Sequence, residues 1–324
     1  MLGYLIICFI IIGVLSNVDY LTTQQYYVHA ELPLSNTVKD FKLEGGSGVV
    51  VVNPNTGMVF VTNTNSDTIS VFDGSNNNLI SVFKVGTNPY GIGINTETDI
   101  LYVARERNNI LTVVDSSTYN IKENIEISGP YDIAVNSNTN MIYVTSNVAN
   151  LVFVIDGSTN TVQTSIDIQV PCGIAVNTKT NTIYVTSETT DKVHVIDGLT
   201  NTQIDTIKVS DSPRGVAVNQ ETNTIYVTNQ NSGTLSVIDG SINEVIDTIK
   251  VNQPYEMAFD SRNNKVYVTY SGTGMFSVIG ESLEERSSAQ LFYVILGISI
   301  AILVGGILGR ILYNKRARTR IKQQ

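Results

Sequence analysis

NTIYVTN at residues 223–229 and NTIYVTS at residues 181–187 are near copies, 42 positions apart. Aligning the phrase along the chain places its aromatic residue at Phe60, Tyr102, Tyr143, Tyr184, Tyr226 and Tyr267, with spacings of 42, 41, 41, 42 and 41. The same interval recurs upstream at Asn53, Asn95, Asn136, Asn177, Asn219 and Asp260, and downstream at Asp73, Asp115, Asp156, Asp197, Asp239 and Gly280. The chain is therefore built from six units of about forty residues.

Each unit holds four short apolar runs, as in GIAVN (173–177), TIYVTS (182–187), KVHVIDG (192–198) and TQIDTIKV (202–209), separated by polar turns. Four strands per period of about forty residues is the signature of a β-propeller blade. Several runs are apolar on both faces, as expected of a blade sandwiched between two others. Small residues at Gly93, Ala134, Ala175, Ala217 and Ala258 mark the innermost strands, which crowd around the axis. The sixth unit ends after its third strand, FSVIG (276–280), while NTVKDFKLE (36–44) precedes the first unit as an orphan fourth strand. Supplying that strand to the last blade closes a ring of six and leaves no unpaired blade edge. The fold expected over residues 36–280 is an all-β propeller. Its recurring Asn and Asp residues should bond backbone at strand-ending turns, and its aromatic residues should pack between blades.

The repeat resembles the YVTN-type β-propeller family, which includes archaeal surface-layer-like and bacterial periplasmic proteins. The resemblance rests on Tyr226-Val227-Thr228-Asn229 and on near matches at Phe60–Asn63, Tyr143–Ser146, Tyr184–Ser187 and Tyr267–Tyr270. Tyr102-Val103-Ala104-Arg105 departs furthest from the pattern. The family implies the fold and supplies no shared catalytic residue. Many of its propellers have seven blades, against six units here.

Outside the repeats, LFYVILGISIAILVGGILG (291–309) is an uncharged stretch long enough to cross a bilayer as a helix. It precedes Arg310, Lys315, Arg316, Arg318, Arg320 and Lys322, so the excess of positive charge assigns the tail 310–324 to the cytoplasm and the propeller to the exterior. Residues 1–30 combine a short apolar run with the cleavage-like ending Val28-His29-Ala30, which indicates a signal peptide or an N-terminal anchor. Residues 281–290 form a short tether spanning at most about 35 Å. Without the six basic tail residues, 14 Lys and Arg face 29 Asp and Glu, a formal balance of −15 that disfavours nucleic acid as a partner. The expected product is a single-pass cell-membrane protein with an acidic exterior domain.

Cofactor chemistry has few candidate ligands. The only histidines are His29 and His194, and the cysteines Cys8 and Cys172 leave the mature domain without an internal disulfide. No cofactor or metal is expected.

If repetition encodes scaffold, function belongs where the repeats disagree. Each inner strand begins at one rim, where the units read Gly46-Ser47-Gly48, Pro89-Tyr90-Gly91, Pro130-Tyr131-Asp132, Pro171-Cys172-Gly173, Pro213-Arg214-Gly215 and Pro254-Tyr255-Glu256. This rings a channel mouth with Ser47, Tyr90, Tyr131, Cys172, Arg214 and Tyr255. Tyrosines offer rigid amphipathic contact area to a cell-envelope protein, a peptide or a glycan; alternatively they plug the channel. Asp132 and Glu256 replace Gly in opposite units, with an expected gap of order 10 Å between their tips, marginal to too wide for paired-carboxylate glycosidase chemistry. They either hold a cation or basic ligand or face solvent. Arg105 and Arg107, in the second-to-third strand loop of unit two, either engage an acidic partner or pair with Glu106 and neighbouring acids. Since the chain enters at a fourth strand and leaves after a third, both ends belong at the rim opposite this mouth, and the Tyr-rich face should point away from the membrane. The leading expectation is a non-enzymatic binding module. The alternative is a hydrolase or lyase using Asp132, Glu256, Arg214 and Cys172.

Overall fold

The computed structural model describes residues 38–42, 49–260, 265–270 and 275–280. Ser47, the segments 1–30 and 281–290, the apolar stretch 291–309 and the tail 310–324 lie outside the described residues. Among the described residues no helix is long and apolar enough to cross a membrane.

The structure is an all-β propeller. Its fourth repeat shows the pattern, with antiparallel strands Pro171–Asn177, Thr182–Ser187, Lys192–Asp197 and Thr202–Lys208 paired in chain order. Repeats one, two, three and five form the same four-stranded sheet from consecutive strands. In the last repeat Pro254–Asp260, Lys265–Tyr270 and Met275–Gly280 are joined by the N-terminal strand Val38–Lys42, whose Val38 lies opposite Ile279. The expected orphan strand thus pairs where the sequence placed it.

The turns account for the abundance of Asn. Asn140, Asn181 and Asn223, each just before a second strand, have φ of 56°, 53° and 55°. Asn tolerates this left-handed region because its short polar side chain bonds locally. At the ends of the inner strands, Asn95 Oδ1 accepts the backbone N–H groups of Glu97 and Thr98, and Asn136 Oδ1 those of Asn138 and Thr139. Their amide nitrogens reach further: Asn95, Asn136 and Asn177 donate to Asn140, Asn181 and Asn223 of the following repeat at 2.7–2.8 Å. The repeated Asn therefore caps its own turn and ties two blades together.

Between blades the core is continuous. Phe60 packs with Ile92, Ile94, Leu101 and Val103 of the second repeat, and Tyr184 with Val216, Ile225 and Val227 of the fifth. Tyr267 packs against Val50, Val52, Val59 and Val61 of the first, so the last repeat closes on the first. Crowding at the axis explains the small inner residues, since a Cβ on Gly93 would meet the Ile133 side chain 2.7 Å away. The outermost strands TQIDTIK and EVIDTIK are mostly exposed, and their charged residues discourage edge pairing with other chains.

The threonine of the repeated phrase has a specific task. Thr62, Thr145, Thr186 and Thr228 donate to the backbone carbonyls of Tyr90, Cys172, Arg214 and Tyr255, at 2.6, 2.7, 2.5 and 2.6 Å. Each Oγ1 also accepts an N–H of its own inner strand, from Val49, Asp132, Gly173 and Gly215. These bonds fix the backbone of the residues that vary from repeat to repeat. Unit two carries Ala104 at this position.

Candidate functional site

The variable positions converge on the axis. Tyr90, Tyr131, Arg214 and Tyr255 come from four repeats, and their polar tips meet: Tyr90 Oη lies 2.6 Å from Tyr131 Oη and donates to Tyr255 Oη at 2.9 Å. Arg214 Nη1 donates to Tyr131 Oη at 2.8 Å and to Tyr255 Oη at 3.2 Å. The rings of Tyr90 and Tyr131 lie 4.4 Å apart, Tyr255 meets Tyr90 edge-on, and Arg214 Cζ sits 5.0 Å from the Tyr255 ring centre. The arrangement combines aromatic packing with a cation–π contact. Tyr131 is buried, while Tyr90, Tyr255 and Arg214 keep part of their surface in solvent. The mouth is therefore a hydrogen-bonded plug of side chains and not an open tyrosine ring.

Two further residues hold the plug. Arg214 Nη2 pairs with Glu188 Oε1 at 2.9 Å, and its Nε donates to Gln230 Oε1 at 3.1 Å. Glu188 and Gln230 directly follow the repeated four-residue phrase in units four and five, a position that varies as much as the mouth does. Sequence reading passed over them, although disagreement between repeats would have found them. Burial holds the phenols of Tyr90 and Tyr131 well above their ordinary range, reinforced at Tyr90 by Tyr131 and Glu256 and at Tyr131 by Glu256 and Tyr255, so both stay neutral.

Cys172 lies beside this cluster and is buried, with Sγ 3.8 Å from the Val170 carbonyl and from Glu188 Oε2. Burial pushes its thiol up to about 12 against the pull of Arg214. It is a thiol at neutral pH and a poor nucleophile.

Asp132 and Glu256 do not face solvent, because they lie beneath the plug at 5% and 1% exposure. Asp132 lines the central cavity, whereas Glu256 is buried outside that lining. Asp132 Oδ2 accepts the N–H of Ile174 from the next blade at 3.0 Å, and Glu256 Oε2 sits against Gly215. Asp132 Oδ1 and Glu256 Oε1 have no hydrogen-bond partner in the protein. Burial pushes the Asp132 carboxyl up to about 7, opposed by the N–H groups of Ile133 and Ile174. Burial, then the charge of Asp132, push Glu256 well above the carboxylate range, with Arg214 opposing.

A cavity of about 350 Å³ runs along the axis, lined by inner-strand residues of all six repeats, Asp132 among them. Its other end is bordered by Thr96, Glu97, Ser137, Asn138, Thr178 and Gln220, which follow the inner strands. The channel is thus stopped by tyrosines at one end and edged by polar groups at the other.

The remaining candidates stand apart. Arg105 stacks its guanidinium over Gly86 and donates to Thr87 O at 3.2 Å, and Arg107 is exposed. Neither forms an ion pair among the described residues, so the expected pairing with Glu106 is not made. His194 Nδ1 lies 2.7 Å from Gln203 Oε1, and burial lowers its pKa, leaving a neutral ring away from the axis. Among the described residues no group of three His, Cys, Asp or Glu converges as a metal site would require.

No family model and no curated protein matches the chain. Solved structures similar in fold include hydrazine synthase of Kuenenia stuttgartiensis, at a TM-score of 0.59 and 12% identity, covering 81% of this chain and 100% of that one. At that identity the likeness extends to the propeller fold alone.

Proposed function

We propose that this chain is a non-enzymatic binding module of the YVTN type, a six-bladed propeller closed by its N-terminal strand and held at the cell envelope by a helix over 291–309. The observation that carries the reading is the convergence of Tyr90, Tyr131, Arg214 and Tyr255 from four repeats onto one hydrogen-bonded cluster. Rigid phenols and a guanidinium locked by Glu188 and Gln230 lose little conformational freedom when a partner docks. Val38 and Gly280 lie at the end of the last sheet opposite the start of its inner strand, so a tether of ten residues to the membrane leaves the tyrosine face outward. A cell-envelope protein, peptide or glycan is the ligand class that such a surface suits.

The hydrolase or lyase reading would draw on Asp132, Glu256, Arg214 and Cys172. It is less well supported, because the carboxyls lie under the plug and the thiol stays protonated. The deciding experiment is co-purification from native envelope membranes with the full-length protein, beside a Tyr90→Ala/Tyr255→Ala variant shown by circular dichroism to be folded. A partner retained by the parent and lost by the variant is the expected result. Equal recovery by both would move the working surface off this face.

A further inference from the structure

The large apolar side chains that this propeller leaves in water are not scattered. Among the described residues, all but Val82 and Val148 lie toward one rim. Leu199 and Ile242, 84% and 57% exposed, occupy the turns that lead from the third to the fourth strands of repeats four and five. Leu79, Ile121, Val162 and Ile204 fall within the first three residues of the fourth strands of repeats one to four, Asn78–Lys84, Ile121–Glu126, Thr161–Asp167 and Thr202–Lys208. In repeats one, three and four the charged residues of those strands come later, at Lys84, Asp167, Asp205 and Lys208. Repeats two and five also put charge at the rim end, with Lys122, Glu123 and Glu244, and Lys122 reaches back to Asp115 at 3.6 Å.

Single exposed apolar residues are ordinary on a protein surface, but their segregation to one end of neighbouring strands is not. At about 3.3 Å per residue, the start of each outer strand and the turn before it make a band roughly 10 Å deep. An amphipathic element beds to a similar depth, about 5–10 Å, in a bilayer interface. Equivalent positions of a ring stand at one height, so a flat surface meets all of these repeats together, whereas a globular partner meets one side. The turn acids at this rim are engaged by their own turns: Asp197 Oδ1 accepts the Leu199 N–H and Asp239 Oδ1 the Ser241 N–H, each at 2.8 Å. Their charge opposes a second copy, which would bring the same acids face to face. The course of the chain selects the occupant. Gly280 ends the third strand of the last repeat, the position equivalent to Asp197 and Asp239, so the chain leaves the propeller at this rim. Residues 281–290 alone separate it from the uncharged stretch 291–309.

We infer that this rim rests on the lipid bilayer, with Leu199 and Ile242 in the head-group region and the apolar starts of the outer strands beside them. The inference rests on the membrane attachment proposed above and adds a second contact to it. The propeller is seated against the membrane and does not swing freely on its tether. Seating fixes the tyrosine cluster at the far rim, turned away from the lipid.

The chain contains no tryptophan, so one introduced at a chosen site reports its own surroundings. The test uses full-length Leu199→Trp, Ile242→Trp and Val148→Trp variants, the last at the opposite rim. Each is reconstituted into phosphatidylcholine vesicles with and without lipid spin-labelled near the head group, and the vesicles are then washed in alkaline carbonate. Leu199→Trp and Ile242→Trp should each lose about half of their tryptophan emission to the spin label, and Val148→Trp less than about a tenth. Both rim variants should stay with the vesicles through the wash. Retention without quenching would overturn the inference and leave the anchor standing. Quenching before the wash followed by release would refute the anchor and keep the rim contact, and neither quenching nor retention would remove both. Emission shifted to shorter wavelength but insensitive to the spin label would mean that protein covers the rim, and equal quenching of Val148→Trp would mean that the propeller has no seated face; either overturns the inference. The two rim sites are independent, so one variant that fails to fold leaves the other to decide.

Discussion

Two regions of this molecule use polar residues in opposite ways. Between the blades, repeated side chains meet repeated partners: Asn95, Asn136 and Asn177 bond the next repeat's Asn, and the threonines at 62, 145, 186 and 228 bond the next repeat's carbonyl. Along the axis, residues that differ from repeat to repeat meet each other. The tyrosines and Arg214 satisfy one another there, whereas Asp132 and Glu256 each keep an oxygen unpaired. Repetition in a propeller offers a polar group at the blade interface a counterpart at the same place in the next blade. A position used once lacks that counterpart, and its polar group depends on a neighbour across the axis.

The sharpest way to break this comparison uses one residue type in both regions. Tyr184 is fully buried between the fourth and fifth repeats, while Tyr90 lies half-buried in the plug. Tyr184→Ala should cost about 3–5 kcal/mol through lost burial and the cavity left behind. Tyr90→Ala should cost no more than about 2 kcal/mol, since part of its ring already contacts water. Denaturant unfolding of the two variants measures the difference directly. Equal losses would mean that the plug is as much a part of the core as the blade interfaces.

The acid pair predicts a pH dependence that the blade interfaces lack. In the unfolded chain Asp132 releases its proton near 3.8, whereas the native residue holds it to about 7. Between those values the native state binds more protons than the unfolded state. Stability therefore falls as pH rises from about 4 to 7, by at most about 1.4 kcal/mol per pH unit for one proton. Glu256, raised in the same direction, extends the decline. The turn aspartates Asp73, Asp115 and Asp156 act in the opposite sense, because serine and backbone donors hold their pKa values below 3.8. Their contribution is present above that value and is lost in more acid solution. Thermal unfolding from pH 3 to pH 8 should show a maximum near pH 4–5, and Asp132→Asn should flatten its alkaline side. A flat parent profile over pH 4–7 would place the acids in water.

The contrast also explains what could be read in the sequence. The spacing of Phe60, Tyr102, Tyr143, Tyr184, Tyr226 and Tyr267 located the blades, because a repeated residue carries its geometry in its interval. The segment around Val38–Lys42 was identifiable as a missing fourth strand by the same reasoning. The mouth positions were found as places where repeats disagree, but the direction of their side chains was not legible. Asp132 and Glu256 lie far apart in sequence, and only the folded chain shows that both are buried. Arg214 likewise depends on Glu188 and Gln230 from two different repeats, a combination that no local pattern announces.

Ala104 offers the finest test, because here the interface itself departs from its rule. Threonine thirteen residues beyond the inner-strand N–H ties adjacent blades in units one, three, four and five, and Ala104 occupies that place in unit two. By the same spacing a threonine at 104 would accept from Gly91 N–H and donate to the Tyr131 carbonyl. Room for it follows from the fourth repeat, where Gly173 approaches the Arg214 carbonyl as closely as Gly91 approaches that of Tyr131, and Thr186 is accommodated. Ala104→Thr should therefore stabilise the protein by about 0.5–1.5 kcal/mol, the net worth of a buried hydrogen bond. Thr186→Val should cost about 1–3 kcal/mol by stranding Gly173 N–H and the Arg214 carbonyl. If Ala104→Thr instead destabilises as an overpacked core does, the second and third blades are set closer than the others. The exception in the motif would then be a packing requirement of the blade that carries Tyr131 and Asp132 to the axis.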